Sequence, residues 1–306
     1  MTFKFSGHET FPCRYAWLPK AFVALKQNAR LFTDEEDAMI ELGVGKNMVR
    51  AIRFWVDAVG VAEPTKGGAY AITPFGEAIF GRSGFDPFLE DVRTLWLIHW
   101  QLSTNSRQPL FAWHFLLNQW QQPEICREHV LEVFAREAAR LDRELSRVTL
   151  EQHFDAFLHS YVPTRSRKGE VQEDNLDCPL VELELIHKIG ERTMESGGRE
   201  AIYAFRREDK PDLPPSLFAY CVGDFWAQWH AGEQTLSFRD VSVGVGSPGQ
   251  IFKLPEADVR HRLEAIQVDS SGHFAYREST AIQHLTRSGD CRTALARVYE
   301  QEGAIV

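Results

Sequence analysis

The sequence predicts a mainly α protein: an N-terminal winged helix-turn-helix, a helical middle, and a C-terminal α+β part with a second winged-helix-like unit. Three observations predict it. Apolar residues recur at helical spacing as far as Tyr161. Glycines at Gly43 and Gly45 break one such stretch from the next, and the order of short helix, glycine turn and amphipathic helix returns after Thr235. A chain of 306 residues, 44% of them hydrophobic, can bury two or three compact units. They are expected at 1–85, 86–162 and 163–306.

Each element follows from its own stretch. In "RYAWLPKAFVALKQ", Trp17, Ala21, Phe22 and Leu25 share one face, which predicts the first helix. Thr33 precedes "DEEDAMIEL", a capped start with acids in the first turn. From Lys46, the residues Met48, Ile52, Trp55, Val56 and Val59 form the apolar face of a third helix. "AEPTKGGAYAITPFGEAIF" combines a glycine-bearing hairpin tip, an alternating strand and a helix starting near Thr73, which predicts a two-stranded wing. The stretch from Asp86 to Tyr161 is helical in pattern, and "TLWLIHW" is apolar on nearly every side. "PTRSRKGEVQEDNLDCP" reads as a long exposed loop. Beyond it, "CPLVELELIHKIGER" is expected as a helix, "AIYAFRR" as a strand and "SLFAYCVGDFWAQW" as a helix. In the final block, "HFAYRESTAIQHL" is expected as a strand running into a closing helix.

Composition narrows the function. No stretch approaches the roughly 18 apolar residues of a membrane span, and the start lacks the features of a secretion signal, so a cytoplasmic protein without a membrane partner is expected. The five cysteines are scattered and form no C-x-x-C pair, which predicts reduced thiols and no zinc knuckle. A formal net charge of -9 argues against a protein that coats DNA without regard to sequence. It leaves room for a local basic face.

That face is expected on the third helix. Lys46, Arg50 and Arg53 lie on the side opposite its apolar residues, with Asn47 beside them and Lys66 on the wing. A recognition helix needs such a set: polar residues near its start meet base edges, and neighbouring cations meet phosphates. The alternative is a solvated charged face, or a helix-turn-helix used for protein contact. "GVGSPG" at Gly244 to Gly249 fits the spacing of a dinucleotide fingerprint, but Pro248 in the turn and the lack of βαβ units make it a structural turn. In the long loop, Asp174 and Asp177 stand close to Arg165, Arg167 and Lys168. Clustered carboxylates can hold Mg²⁺ or Mn²⁺ for phosphodiester hydrolysis, although Asp177 is also placed to cap the next element. His8, Glu9 and Arg14 in the first block could do acid–base work or bind phosphate, or form only a local hydrogen bond. His153 and His159 lack the spacing of a helix-borne metal pair.

Six separated blocks, "FSGHETFPCRYAWLPKA", "LGVGKNMVRAIRFW", "DPFLEDVRTLWLIHW", "DNLDCPLVEL", "FAYCVGDFW" and "SPGQIFKL", together resemble a bacterial domain-of-unknown-function family encoded beside DNA sulfur-modification genes. The resemblance covers nearly the whole chain. It implies a DNA-nicking subunit of a phosphorothioate modification or anti-phage system, acting on double-stranded DNA with a cysteine desulfurase and an ATPase as partners. It implies roles for His8, Glu9, Arg14, Lys46, Asn47, Arg50, Arg53, Asp174 and Asp177, which sit in matching blocks. At Cys13 and Glu184 the chain departs from the family pattern. A noncatalytic adaptor that assembles the sulfur-transfer partners on DNA is the alternative.

Overall fold

The computed structural model describes residues 2–163, 178–194, 197–279, 283–288 and 295–300. Helices dominate it, and three small antiparallel sheets complete the described part. The N-terminal helices form where the apolar spacing requires. Helix α1 (Trp17–Gln27) buries Trp17, Leu18, Ala21, Phe22 and Leu25. Helix α2 (Glu35–Leu42) is capped one residue later than expected. Asp34 accepts from the amides of Glu36 at 2.8 Å and Asp37 at 3.2 Å, whereas the Thr33 hydroxyl donates to the Arg30 carbonyl at 2.7 Å. A carboxylate can take two orphan amides at once, which favours it over the neighbouring hydroxyl.

Gly43, at φ 60°, closes α2, and Gly45 precedes α3 (Lys46–Val59). Helix α3 buries Val49, Ile52, Trp55, Val56 and Val59; Met48, expected in that face, is only half-buried, and Val49 takes its place. Strands β1 (Ala62–Pro64) and β2 (Tyr70–Ile72) pair with Ala62 opposite Ile72. The tip between them uses Gly67 and Gly68 at φ 78° and 80°, a conformation that penalises any Cβ. Helix α4 (Pro74–Phe80) follows, capped by Thr73.

The middle of the chain supplies α5 (Val92–Thr104), α6 (Phe111–Asn118), a two-residue strand β3 (Ile125–Cys126), α7 (Arg127–Arg140) and α8 (Arg147–Tyr161). Trp96, Trp100 and Trp113 are fully buried among these helices, with Trp55 and Trp226 from either side. They are core residues, so none of them presents a ring for base stacking.

Two expected helices are strands. Pro179–Leu183 makes a single 3-10 turn, Glu184 adopts φ 45°, and the chain then extends as β4 (Ile186–Thr193) against β5 (Arg199–Phe205). Helical spacing in "LVELELIHKI" is outweighed by the seven paired positions that β5 offers. After α9 (Pro215–Trp229), the final block contains β6 (Thr235–Ser237), α10 (Phe238–Val243), α11 (Pro248–Ile251), α12 (Glu256–Asp269), β7 (Phe274–Glu278) and β8 (Gln283–Arg287). The expected closing helix is β8, which lies between β6 and β7 and pairs with both. A central strand gains two ladders; a terminal helix would leave β6 and β7 unpaired.

The order of helix, short helix, long helix and hairpin thus occurs near both ends of the chain. In the second instance the glycine-rich turn is packing geometry. Gly244 ends α10, Ser247 caps α11, and a Cβ on Gly249 would stand 2.4 Å from the Ser242 carbonyl oxygen.

Candidate functional site

The exposed edge of α3 begins with Lys46 and Asn47 and continues through Arg50 and Arg53. Amphipathic spacing forces them outward, since the opposite side is locked into the core by Ile52, Trp55 and Val59. Arg53 and Lys66 are exposed and make no ion pair among the described residues. Lys46 and Arg50 are not free. Both engage Glu35 on α2: Lys46 Nζ lies 2.9 Å from Oε2, and Arg50 Nε lies 2.7 Å from Oε1. Hydrogen bonds from Arg50 and then Lys46 hold the Glu35 carboxyl well down, at about 2. Two more cations stand nearby, Lys20 with its amine beside the Gly43 turn and Arg30 beside the Gly67 tip.

The first block lies along α3. Lys4 bonds Asp57 at 3.2 Å, Trp55 donates its indole N–H to the Phe11 carbonyl at 3.0 Å, and His8 packs edge-on against Phe54. A Cβ on Gly7 would stand 2.9 Å from the Phe54 ring, and φ is +110°, so glycine alone fits there. Glu9 and Thr10 follow with φ of 49° and 68°, a sharp turn that sets Glu9 close enough to Arg50 to stabilise its charge. The Arg14 guanidinium lies 5.8 Å from the Phe11 ring centre and 5.5 Å from that of Trp17.

His8 itself is turned inward, 2% exposed, with its Nε2 3.3 Å from Nδ1 of the buried His153. The Thr10 amide donates to His8 Nδ1 at 3.2 Å, and the Ala112 amide donates to His153 Nε2 at 3.0 Å. The facing nitrogens are in contact in a buried site, where an added proton is disfavoured. Burial holds His8 down to about 4, and burial, with His8 beside it, holds His153 well below its ordinary value. His8 is therefore a neutral wedge at physiological pH.

Asp174 and Asp177 lie outside the described residues, as do Arg165, Arg167 and Lys168. The described ends of their segment are close to the first block. The Cys178 thiol donates to the Ser160 carbonyl at 3.3 Å, the Tyr15 hydroxyl donates to Glu182, and burial, reinforced by Cys178, raises the Cys13 thiol. Burial pushes the Cys178 thiol up to about 12. Cys13, Cys126, Cys178 and Cys221 are all buried free thiols. Among the described residues, no three His, Cys, Asp or Glu side chains could hold a metal ion together.

Sequence reasoning missed Glu35, Lys4 and Tyr15. Each acts on a residue far along the chain, so no local spacing marks it. The only hint was the acidic first turn of α2, which also serves that helix's own dipole.

Fold and basic edge together define a helix-rich protein in which a short helix, a long helix and a pair of antiparallel strands occur in that order near each end. The family model described as a protein of unknown function, DUF4007, matches residues 5–301, and the chain belongs to that family. Its fold is similar to SspB in two solved structures. One is a magnesium-ion-bound SspB crystal structure, 26% identical, with a TM-score of 0.83 over 94% of this chain and 84% of that one. The other is an SspB crystal structure, 25% identical, with a TM-score of 0.80 over the same shares. No curated protein matches the chain. No helix among the described residues is long and apolar enough to cross a membrane.

Proposed function

We propose that this chain is the DNA-binding and DNA-nicking subunit of a bacterial phosphorothioate modification or anti-phage defence system, working in the cytoplasm beside a cysteine desulfurase and an ATPase. The observation that carries this reading is the one-sided cationic edge of α3, flanked by a glycine turn and a hairpin, in a chain whose fold is similar to SspB. The N-terminal unit acts as a winged helix on double-stranded DNA. Asn47, with Lys46 and Arg50, enters the groove, Arg53 meets the backbone, and Lys66 reaches phosphate from the wing. Glu9, beside Arg50, borders this edge and is a cutting-site candidate together with Arg14, and the buried His8 positions the Glu9 turn by packing on Phe54 and His153.

The metal half of the proposal rests on Asp174 and Asp177. The described residues do not by themselves fit a metal ion. Magnesium or manganese held by those two carboxylates would supply water activation and leaving-oxygen stabilisation. Incubating the purified chain with supercoiled plasmid and Mg²⁺ or Mn²⁺ should yield open circles, with a chelator control remaining supercoiled. Asp174→Ala or Asp177→Ala should slow nicking. Unchanged nicking by both variants would move the cutting site to Glu9 and Arg14.

The second reading is a noncatalytic adaptor that assembles the sulfur-transfer partners on DNA. It is favoured by the Glu35 contact, which already neutralises part of the edge. Persistent supercoils with every divalent ion tried, alongside intact DNA binding, would select it.

A further inference from the structure

The two long helices of the repeated units present different stripes. On α3 the outward residues are cations and an amide; on α12 they are Ala257, His261, Glu264 and Val268, all exposed, with Val268 at 80%. The opposite side of α12, with Val259, Arg262, Leu263 and Ile266, is buried against the rest of the fold. The four outward residues are spaced four, three and four apart. That is the spacing of a coiled-coil seam, and it gathers them into one narrow line.

A lone exposed valine is ordinary. The order of residues around this one is self-complementary. When two such helices run antiparallel about a two-fold axis, position i of one faces position j of the other wherever i and j add to a constant. With the axis midway between His261 and Glu264, His261 faces the partner's Glu264, and Val268 faces the partner's Ala257. Each contact occurs twice by symmetry.

We propose that this stripe is a two-fold interface with a second copy of this chain. The small Ala257 lets the helices approach closely enough for Val268 to leave water. Glu264 makes no ion pair within its own chain among the described residues, and the imidazole of the partner's His261 supplies its hydrogen bond. Arg260 is held by Glu278 and lies over the Phe238 ring at 4.5 Å, so the Glu264 charge supports it only at a distance. Gln267, on the flank, is neutral. No like charges are opposed in the central layers. One pair of short helices is a small interface, so the affinity is modest, roughly micromolar.

The test is sedimentation velocity of the full chain over a micromolar concentration series. A monomer–dimer equilibrium is expected. His261→Glu opposes two carboxylates twice and should weaken the dimer by roughly tenfold or more. Adding Glu264→Lys to that variant restores opposite charges in both layers and should restore the dimer. A chain that stays monomeric throughout overturns the proposal, as does a dimer indifferent to His261→Glu or a double variant that fails to recover. Weaker duplex binding by His261→Glu in a chain that never dimerises would make the stripe a nucleic-acid face and also overturn it. The proposal is independent of nicking and of DNA contact through α3.

Discussion

Glu35 decides how much of the α3 edge is available. Its carboxylate is an internal competitor for the phosphates that Lys46 and Arg50 would meet, and its depressed pKa means it stays charged throughout the physiological range. Glu35→Gln should therefore raise affinity for duplex DNA several-fold at low salt. It should also steepen the dependence of log K on log salt by about one, since each extra phosphate contact releases a counterion. Fluorescence anisotropy across a salt series measures both, and unchanged affinity and slope would show that the cations never reach phosphate. Reversing charge in Arg50→Glu with Arg53→Glu should cost at least about tenfold in affinity in the same assay, with the slope falling by one to two. Equal binding would take α3 out of the interface. The residues of this edge were legible because a helix period sorts them from the core. Glu35 was not, because its partners are brought to it only when α2 folds back on α3.

At the scale of elements, the hairpin and α4 depend on one hydroxyl. Thr73 accepts from the Gly76 amide at 2.9 Å and donates to the Gly60 carbonyl at 2.5 Å, joining the cap of α4 to the end of α3. Thr73→Ala removes both and should cost about 1–2 kcal/mol of stability, read as a lower urea midpoint with an unchanged slope. A loss under 0.5 kcal/mol, within the range of an ordinary surface change, would mean that water replaces the hydroxyl at little cost. Helices α1 to α4 and α9 were readable from local spacing and caps, and the stretch from Asp86 to Tyr161 was readable as helical, though not as separate helices. Strands β4 and β8 were not. Ile186 to Thr193 takes its extended shape from pairing with β5, a partner outside the segment itself. The same holds for β8, which exists because β6 and β7 both need a partner.

At the scale of the whole molecule, three histidines are held neutral inside the fold. Burial lowers His8 and His99 to about 4 and also lowers His153. Above pH 6.5 they are neutral whether the chain is folded or not and contribute no pH dependence. As pH falls below 6.5 the unfolded chain takes up protons that the native chain refuses, so stability drops, by up to about 1.4 kcal/mol per pH unit for each group, until the native pKa is reached. Urea unfolding at pH 7 and pH 5 should show this loss, and His99→Gln should reduce its slope; a flat profile would mean that the rings are protonated in the native state. By itself the sequence determined the helical class and the outward cationic edge, because helix period and side-chain chemistry are local properties. Only the tertiary structure decided that Glu35 holds two of those cations, that His8 faces inward to His153, and that two apparent helices are strands. Ion pairs, burial and ladder hydrogen bonds join residues distant in sequence, and their energies exist only once the chain has closed on itself.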